Sequence, residues 1–458
     1  MAPDRPTTIQ MTLYRTAFIA LALAPGIARP QDTTARVRRL TMAEAVQIAE
    51  RQNASVEIAR LRADEANARV RQRRADLLPT LSSYLQEAGR TFNTSTLGIE
   101  FPAAPGQKPL FDPRGQVEGP INTTDIRGRI QQNLFDAGAL GRVRSTKAAA
   151  RSSSADADQA ASLAAANAAV AYVRALRADA DLIARQRDTT LATELLGIAR
   201  SQLQAGTGVG LDVTRARAQL AATKASLIAS RNALDRAQLD LARTLSLPVG
   251  ERFILADTLG AGLGDQLPDE ATLVAKAMAT RPDLRAEVER LRAAETSVSA
   301  IRAERLPTLG LVADDGAIGK VGQRLLNTYT WGVQLSLPVF DGFRRESRIQ
   351  EQSAVAAEAK ARLRDLELQT AAEVRGALLD LSAAREQLDA ARERLTLAEE
   401  ELAQARERFN AGVSGNADVV NASLALTTSR SLVIDAETAY GLARISLARA
   451  TGSANDLR

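Results

Sequence analysis

The sequence predicts a mainly helical protein with a membrane β-barrel contribution: long antiparallel coiled-coil helices (an α-barrel) together with four β-strands per chain. Three observations support this fold class. The 458-residue chain repeats itself, long stretches of it follow a seven-residue apolar period, and each repeat contains a segment where the period changes from seven to two. Aromatic residues make up only 3%, while Ala, Leu, Arg, Glu and Gln fill long stretches, which is typical of long helices.

Composition narrows the possible functions. The chain contains no cysteine and no histidine, which excludes thiol nucleophiles, disulfides, imidazole bases and the common zinc ligands. The net charge of +5 comes from 59 basic and 54 acidic residues spread along the chain, so a nucleic-acid partner is not expected. We interpret Asp314 and Asp315 as solvated charge in a loop. The protein is therefore expected not to be an enzyme and to need no cofactor or metal.

The first 28 residues resemble a secretory signal peptide. Arg15 precedes an apolar run from Ala17 to Ala24, and small residues follow before a polar segment. A single amphipathic anchor helix is the alternative. No later segment approaches the ~18 consecutive apolar residues of a membrane-spanning helix, so insertion into a membrane would have to use strands.

The chain is a tandem repeat. The stretch QAGTGVGLDV begins at Gln204 and NAGVSGNADV begins at Asn410, 206 positions later. LLPTL at Leu77 corresponds to RLPTL at Arg305, and an LFD triplet to a VFD triplet. We place the repeats at about 40–246 and 269–451, within a region 29–458, with a linker at 247–268.

Heptads dominate each repeat. In the second repeat, a row of large residues occurs at strict intervals of seven: Val374, Leu381, Leu388, Leu395, Leu402 and Phe409. A parallel row of alanines follows three positions after most of these residues. The pattern predicts helices over about 138–204, 211–246, 344–410 and 417–451. At ~1.5 Å per residue, the longer two would extend roughly 100 Å. Shorter helices before Leu78 and Leu306 would pack along the half of each long helix that the returning helices leave uncovered.

Each Ala-Gly motif predicts the tip of a helical hairpin. Gly206 and Gly412 are expected to supply the left-handed residue that ends the arriving helix, and Asp212 and Asp418 to cap the departing one.

Four strands are predicted in two hairpins, at 80–135 and 307–340. Tyr329, Trp331 and Val333 alternate with polar residues, as expected of strands with one apolar and one wet face that cross an outer membrane when tilted. Soluble hairpins packed on the helices are the alternative. By the same alternation Arg127 and Arg129 would face a lumen, although ordinary solvated charge is the favoured interpretation.

One chain cannot close a barrel from four strands. Unpaired backbone groups at the two open edges would cost several kcal/mol each in hydrocarbon, and the smallest membrane barrels use eight strands. Copies must therefore pool their strands, two giving eight and three giving twelve.

Together, these motifs resemble those of the TolC-like outer-membrane factors, the exit ducts of Gram-negative tripartite efflux and type I secretion systems. The resemblance extends from LTMAEAVQIAERQN at Leu40 through LPTL, LFDAG, VFDGFRR and both Ala-Gly tips. It implies a homotrimer with a twelve-strand barrel in the outer membrane above a helical tunnel through the periplasm, and an equatorial belt that includes the linker 247–268. The implied partners are a periplasmic adaptor, an inner-membrane pump of the RND or ABC type, and outer-membrane lipid.

The resemblance also implies site residues. The adaptor-docking tip would contain Gly206, Asp212, Val213, Gly412, Asp418 and Val419, and the periplasmic gate would contain Asp212, Phe409, Ser414, Asp418 and Asn421. Phe409 stands where the family's archetype has a tyrosine, Ser414 where it has an arginine, and Asn421 where it has an aspartate. These departures weaken the polar lock, so we expect a gate held mainly by packing. Three copies of Asp418 would form an acidic ring that attracts cations.

The expected function is therefore a passive trimeric conduit from an inner-membrane pump and its adaptor to the exterior. The alternative is a structural coiled-coil tether of the cell envelope without a pore, which would explain the heptads but not the four alternating strands.

Overall fold

The computed structural model describes residues 37–97, 106, 115–248, 251–260, 269–411, 413 and 415–457. The expected signal peptide at 1–28, the tip residues Gly412 and Ser414, and parts of the expected linker (249–250 and 261–268) lie outside the described residues.

Two long helices form the frame of the molecule. Helix α3 spans Ala137–Gln204 and α7 spans Arg344–Asn410, with 68 and 67 residues, so each is about 100 Å long. Each is followed by a helix of 35 residues that packs back along it, α4 (Gly210–Thr244) and α8 (Asn416–Ala450). The predicted fold class, mainly helical with long antiparallel hairpins and four long strands, is confirmed.

Shorter helices precede each strand pair. The first pair is α1 (Met42–Gln52) and α2 (Ala54–Ala75), and the second is α5 (Glu270–Thr280) and α6 (Pro282–Ala303). Helix α2 packs on α3, while α6 packs on both α3 and α7. The α3–α6 approach is close, because a Cβ atom at Gly141 would lie 2.5 Å from the Ala300 Cβ.

The four long strands form one antiparallel sheet in the order β2-β3-β5-β6. Their bounds are Thr80–Asn93 (β2), Val117–Phe135 (β3), Thr308–Lys320 (β5) and Leu326–Ser336 (β6). Strands β3 and β5 pair across the two repeats, so each repeat supplies one hairpin. Strands β2 and β6 are the edges of this sheet within the chain.

A second sheet was not anticipated. Strand β1 (Val37–Leu40) pairs in parallel with β4 (Arg252–Leu255), which lies between the two repeats. Four residues are too few for an alternating pattern to be recognised in the sequence. The fully buried Tyr172 of α3 holds this region, since its hydroxyl lies 2.9 Å from the Leu40 carbonyl and 2.8 Å from Asp257 Oδ2.

The core is distributed along the helices. One buried cluster joins the β1–β4 region to α3 and α4 around Tyr172, Leu241 and Leu245. Another lies between α7 and α8, with α5 against it, and contains Val374, Leu381 and other members of the predicted heptad row. The heptads thus mark the buried seams between helices. Two short 3-10 helices, Thr94–Leu97 and Ala454–Asp456, complete the regular structure of the described residues.

Candidate functional site

The first hairpin tip joins α3 to α4. Gly206 follows the last residues of α3 with φ of 74°, a left-handed conformation that glycine adopts without strain. Its amide donates to the Leu203 carbonyl at 3.2 Å, and the Thr207 and Gly208 amides both donate to the Gln202 carbonyl at 3.0 Å. These bonds satisfy carbonyls that the end of a helix leaves free.

The tip aspartates do not cap their helices. Helix α4 has Val209 at its N-cap and α8 has Gly415, and neither cap makes a side-chain hydrogen bond. Asp212 and Asp418 are the third residues of these helices. The prediction of capping was therefore wrong, because the N-cap position lies three residues before each aspartate. Their charges still lie in the first turn, where the helix dipole favours an anion.

The two tips touch each other through Asn416, which sequence reasoning missed. This first residue of α8 is fully buried, and its Nδ2 donates to the Asp212 carbonyl at 3.2 Å. Its Oδ1 is buried and has no hydrogen-bond partner among the described residues. The tip of the first hairpin is thus linked to the start of the returning helix in the second.

The predicted gate residues Phe409, Asp418 and Asn421 and the predicted tip residue Val419 separate into a buried and an exposed group. Phe409 and Val419 are 4% and 0% exposed and share one apolar cluster with Leu191 and Leu195 of α3. Asp418 and Asn421 lie one turn apart on α8, and both are exposed.

At the first tip the predicted residues Asp212 and Val213 are largely buried, whereas Val209 and Leu211 before them are exposed. The Asp212 carboxylate is 17% exposed and lies 3.8 Å from Arg215 Nη1. Val213 belongs to a separate small cluster with Leu196 and Ala216. The predicted tip residues therefore do not form one contiguous polar lock within the described part of the chain.

An ionic network with a buried carboxylate at its centre joins the hairpins farther from the tips. Asp188 of α3, with a side chain 2% exposed, accepts from Arg185 Nη1 at 3.2 Å and from Arg430 Nη1 of α8 at 3.0 Å. Arg185 also donates to Ser431 of α8 at 2.5 Å and to Asp181 at 3.0 Å. We call Asp181, Arg185, Asp188, Arg430 and Ser431 the inter-hairpin network.

This network also involves a third helix, and an apolar cluster lies between it and the hairpin tip. Ser230 of α4 donates to Asp181 Oδ2 at 2.7 Å, so α3, α4 and α8 meet there. Asp188 precedes Gln204 by 16 residues, which places it about 24 Å from the end of α3. Between the network and the tip, α3 meets α7 and α8 through the cluster that contains Leu195 and Phe409.

One face of the β-sheet is apolar and exposed. In this face Leu81 lies opposite Ile130 and Leu85 opposite Ile126, while Trp331 of β6 lies opposite Ala313. Its large side chains are widely exposed, Tyr329 at 73% and Trp331 at 71%. Water-soluble monomers seldom expose a contiguous apolar surface of this kind, whereas a lipid-facing barrel wall requires one.

The opposite face is polar and carries paired charges. Arg127 donates to Asp125 and Asp314, and its side chain is only 15% exposed, so the interpretation as ordinary solvated charge was wrong for Arg127. The Arg129 side chain on the same face is 39% exposed. Asp314 and Asp315 also do not lie in a loop, because both belong to β5. Side chains alternate along a strand, and so these neighbouring carboxylates point to opposite faces.

Among the described residues, no group of three or more acidic side chains, histidines or cysteines is placed to hold a metal ion. Within the same residues, no helix is both long and apolar enough to cross a membrane.

Comparisons with known proteins agree on one family. A family model described as "Outer membrane efflux protein" matches residues 45–246 and 273–453. Protein CyaE of Bordetella pertussis is 32% identical over 256 residues, which cover 55% of this chain and 54% of CyaE. The outer membrane efflux protein BepC of Brucella suis is 25% identical over 272 residues, 58% of either chain. The chain thus spans a little over half the length of the curated relatives it matches.

The fold is also shared with solved structures. The outer-membrane channel OprN superposes with a TM-score of 0.72 at 21% identity, over 90% of each chain. At this identity the likeness concerns the fold alone.

Proposed function

The chain belongs to the outer membrane efflux protein family, and we propose that it is one subunit of a trimeric outer-membrane exit duct. The duct would passively conduct substrates that an inner-membrane pump and a periplasmic adaptor deliver, in a tripartite efflux or type I secretion system. Its barrel would lie in the outer membrane of a Gram-negative bacterium, and its helices would extend into the periplasm.

The two-faced sheet with open edges carries this proposal. Its apolar face suits lipid and its polar face suits a water-filled lumen, but β2 and β6 each leave one side unpaired within the chain. Such edges are stable in a membrane only when another strand pairs with them. Three copies supply twelve strands, which is an even number within the range of known outer-membrane barrels.

We further propose that the hairpin tips form the periplasmic mouth and the adaptor-docking surface. Asp418 and Asn421 are exposed there, and Val413 is 71% exposed, so they are available to a partner. Phe409 and Val419 are buried between α3 and the second hairpin, which supports a gate held by apolar packing. Gly412 and Ser414 belong to the same proposed tip.

The proposed role involves no catalysis. The transport energy would come from the pump, while this chain provides the path. General acid and base chemistry needs carboxylates held in a shaped, desolvated site. The most buried carboxylates discussed above, Asp188 and Asp314, are each held by two arginines, which suits a structural pair better than a proton carrier.

The experiment is reconstitution of the purified mature protein. We expect it to need detergent, to migrate as a trimer that heating converts to monomer, and to form ion-conducting pores in planar lipid bilayers. A protein that is freely soluble, monomeric and without conductance would contradict the proposal. A detergent-dependent trimer that never conducts would instead favour an envelope tether.

A further inference from the structure

The polar face of the sheet carries a compact group of four charges, Asp125, Arg127, Arg129 and Asp314, which we call the charge collar. Arg127 Nε donates to the two carboxylate oxygens of Asp125 at 2.7 and 2.9 Å, and its Nη1 donates to Asp314 Oδ1 at 2.9 Å. Arg129 Nη2 lies 3.7 Å from Asp314 Oδ2. Two acids and two bases therefore cancel within one cluster.

The collar lies flat on the sheet. A Cβ atom at Gly316 would come within 2.7 Å of Arg127 Cγ, so the Arg127 side chain occupies the space that the glycine leaves empty. The Arg129 guanidinium stacks 5.6 Å from the centre of the Tyr84 ring. The Asp314 side chain is only 9% exposed. These side chains pair along the wall, and their charges are satisfied there.

The strand register separates this collar from the apolar face. Asp314 lies opposite Arg129 on β3 and Thr330 on β6, both on the polar face. Its neighbour Asp315 lies opposite Tyr329, which belongs to the apolar face, and is exposed. Two adjacent carboxylates thus point to opposite sides of the sheet, one in the collar and one on the outer surface.

We propose that the charge collar sets the ion selectivity of the barrel lumen at its own level by keeping that ring of the wall electrically neutral. The proposal rests on the proposed function, since the polar face bounds a lumen only when several copies close the barrel. In a trimer each collar residue occurs three times, so neutralising one collar residue changes the total charge of the wall by three elementary charges. Rings of fixed charge are the usual cause of charge selectivity in pores.

Neutralising one member of the collar should leave the opposite charge of its partner uncompensated. Asp314→Asn leaves Arg127 and Arg129 with too little negative charge, and the ratio of cation to anion permeability should fall by about tenfold or more at low salt, as expected for three unit charges acting through water over roughly 10 Å. Arg127→Gln leaves the carboxylates in excess and should raise the ratio. The double variant R127Q/D314N is neutral again and should return close to the wild-type value.

The measurement is the reversal potential of single pores in planar bilayers under a KCl gradient. Asp315→Asn is the matched control, because it makes the same chemical change one residue away on the other face and should leave the potential unchanged. The shifts should be clear near 0.01 M salt, where charges act over about 30 Å, and nearly absent at 1 M, where they act over about 3 Å.

Each variant is first checked for assembly as a trimer that heating dissociates. If D314N does not assemble, the direction of the shift in reversal potential for R127Q alone tests the proposal. Opposite shifts for D314N and R127Q, with D315N unchanged, support the collar. Equal shifts for D314N and D315N, or none for D314N and R127Q, would overturn it, while conduction by the wild type would leave the proposed duct intact. A wild-type trimer without conductance would count against the duct itself.

Discussion

At the scale of single residues, Asp188 shows how a buried charge joins two hairpins. It lies between Arg185 and Arg430 with almost no exposure to solvent. Removing its carboxylate takes charge-assisted hydrogen bonds away from two partly exposed arginines, at a cost of about 1.5 to 3 kcal/mol. We therefore expect Asp188→Ala to lower the midpoint of thermal unfolding markedly, as measured by circular dichroism of the detergent-solubilised protein.

The matched control joins the same two helices at the surface. Asp435 of α8 pairs with Arg177 of α3 at 2.7 Å, and both side chains are 53% exposed. Solvent screens such a pair, so Asp435→Ala should cost less than about 1 kcal/mol. Equal losses for the two variants would contradict the assignment of Asp188 as the buried link between α3 and α8.

Tyr172 predicts a dependence of stability on pH. Burial and the hydrogen bond to Asp257 raise the pKa of its phenol above the ordinary value of about 10. The folded state then holds the proton more tightly than the unfolded state does. The stabilising contribution is complete below about pH 10 and is lost as the pH rises through the folded-state pKa.

Tyr172→Phe removes both the hydroxyl and its titration. The variant should lose about 1 to 2 kcal/mol at neutral pH, because the Asp257 and Leu40 acceptors lose their donor. Its stability should also fall less steeply than that of the wild type above pH 10 in denaturant titrations. If the stabilities of the variant and the wild type fell in parallel above pH 10, Tyr172 would not be the cause of the loss of stability at alkaline pH.

At the scale of elements, two glycines of the first long hairpin should respond oppositely to the same change. Gly206 has a positive φ at the end of α3, where alanine is strained, so Gly206→Ala should destabilise the protein by about 1 kcal/mol. Gly197 lies inside α3 with open space around it, and Gly197→Ala should stabilise by about 0.5 to 1 kcal/mol. Thermal midpoints that move the same way would refute the assignment of Gly206 as the helix-terminating residue.

The elements were predictable because their signals are periodic. Heptads through Val374 and Phe409 mark seams that are buried in the structure, and alternation through Trp331 marks a face that is exposed. The inter-hairpin network was not predictable, since Asp188 resembles any other charge on α3 until α8 is packed against it. The start of α4 was predicted to within one residue, but the role of Asp212 as its cap was not, because Val209 takes the N-cap position and makes no side-chain hydrogen bond.

The site was less predictable than the fold for a related reason. A residue such as Asp314 acquires its role from its cross-strand neighbour, and the register between β3 and β5 depends on pairing between residues nearly 190 positions apart. Local patterns carry no information on such a register. The alternation placed Arg127 on the polar face, but its two partners became evident only from the paired strands.

At the scale of the whole molecule, the open sheet edges predict contacts between copies of the chain. Because the chain contains no cysteine, pairs of introduced cysteines can test these contacts without competing disulfides. We expect β2 of one subunit to pair with β6 of the next. Ser82→Cys on the polar face of β2 would be combined in turn with Thr330→Cys, Gln334→Cys and Ser336→Cys on the same face of β6. Disulfides form only when Cα atoms lie within about 7 Å, so one combination should cross-link efficiently.

The largest cross-linked product gives the number of subunits in the closed barrel. In a closed trimer, mild oxidation of the correct pair should give covalent dimers and trimers on non-reducing gels and nothing larger, with reversal by reductant. The variant with Ser82→Cys alone is the control, because β2 edges do not meet each other in this arrangement and no ladder should form. A ladder that ends at two copies would indicate an eight-strand barrel, and one that continues beyond three would indicate an open assembly. Because each product corresponds to one mode of closing the sheet, this pattern tests the trimer independently of conductance.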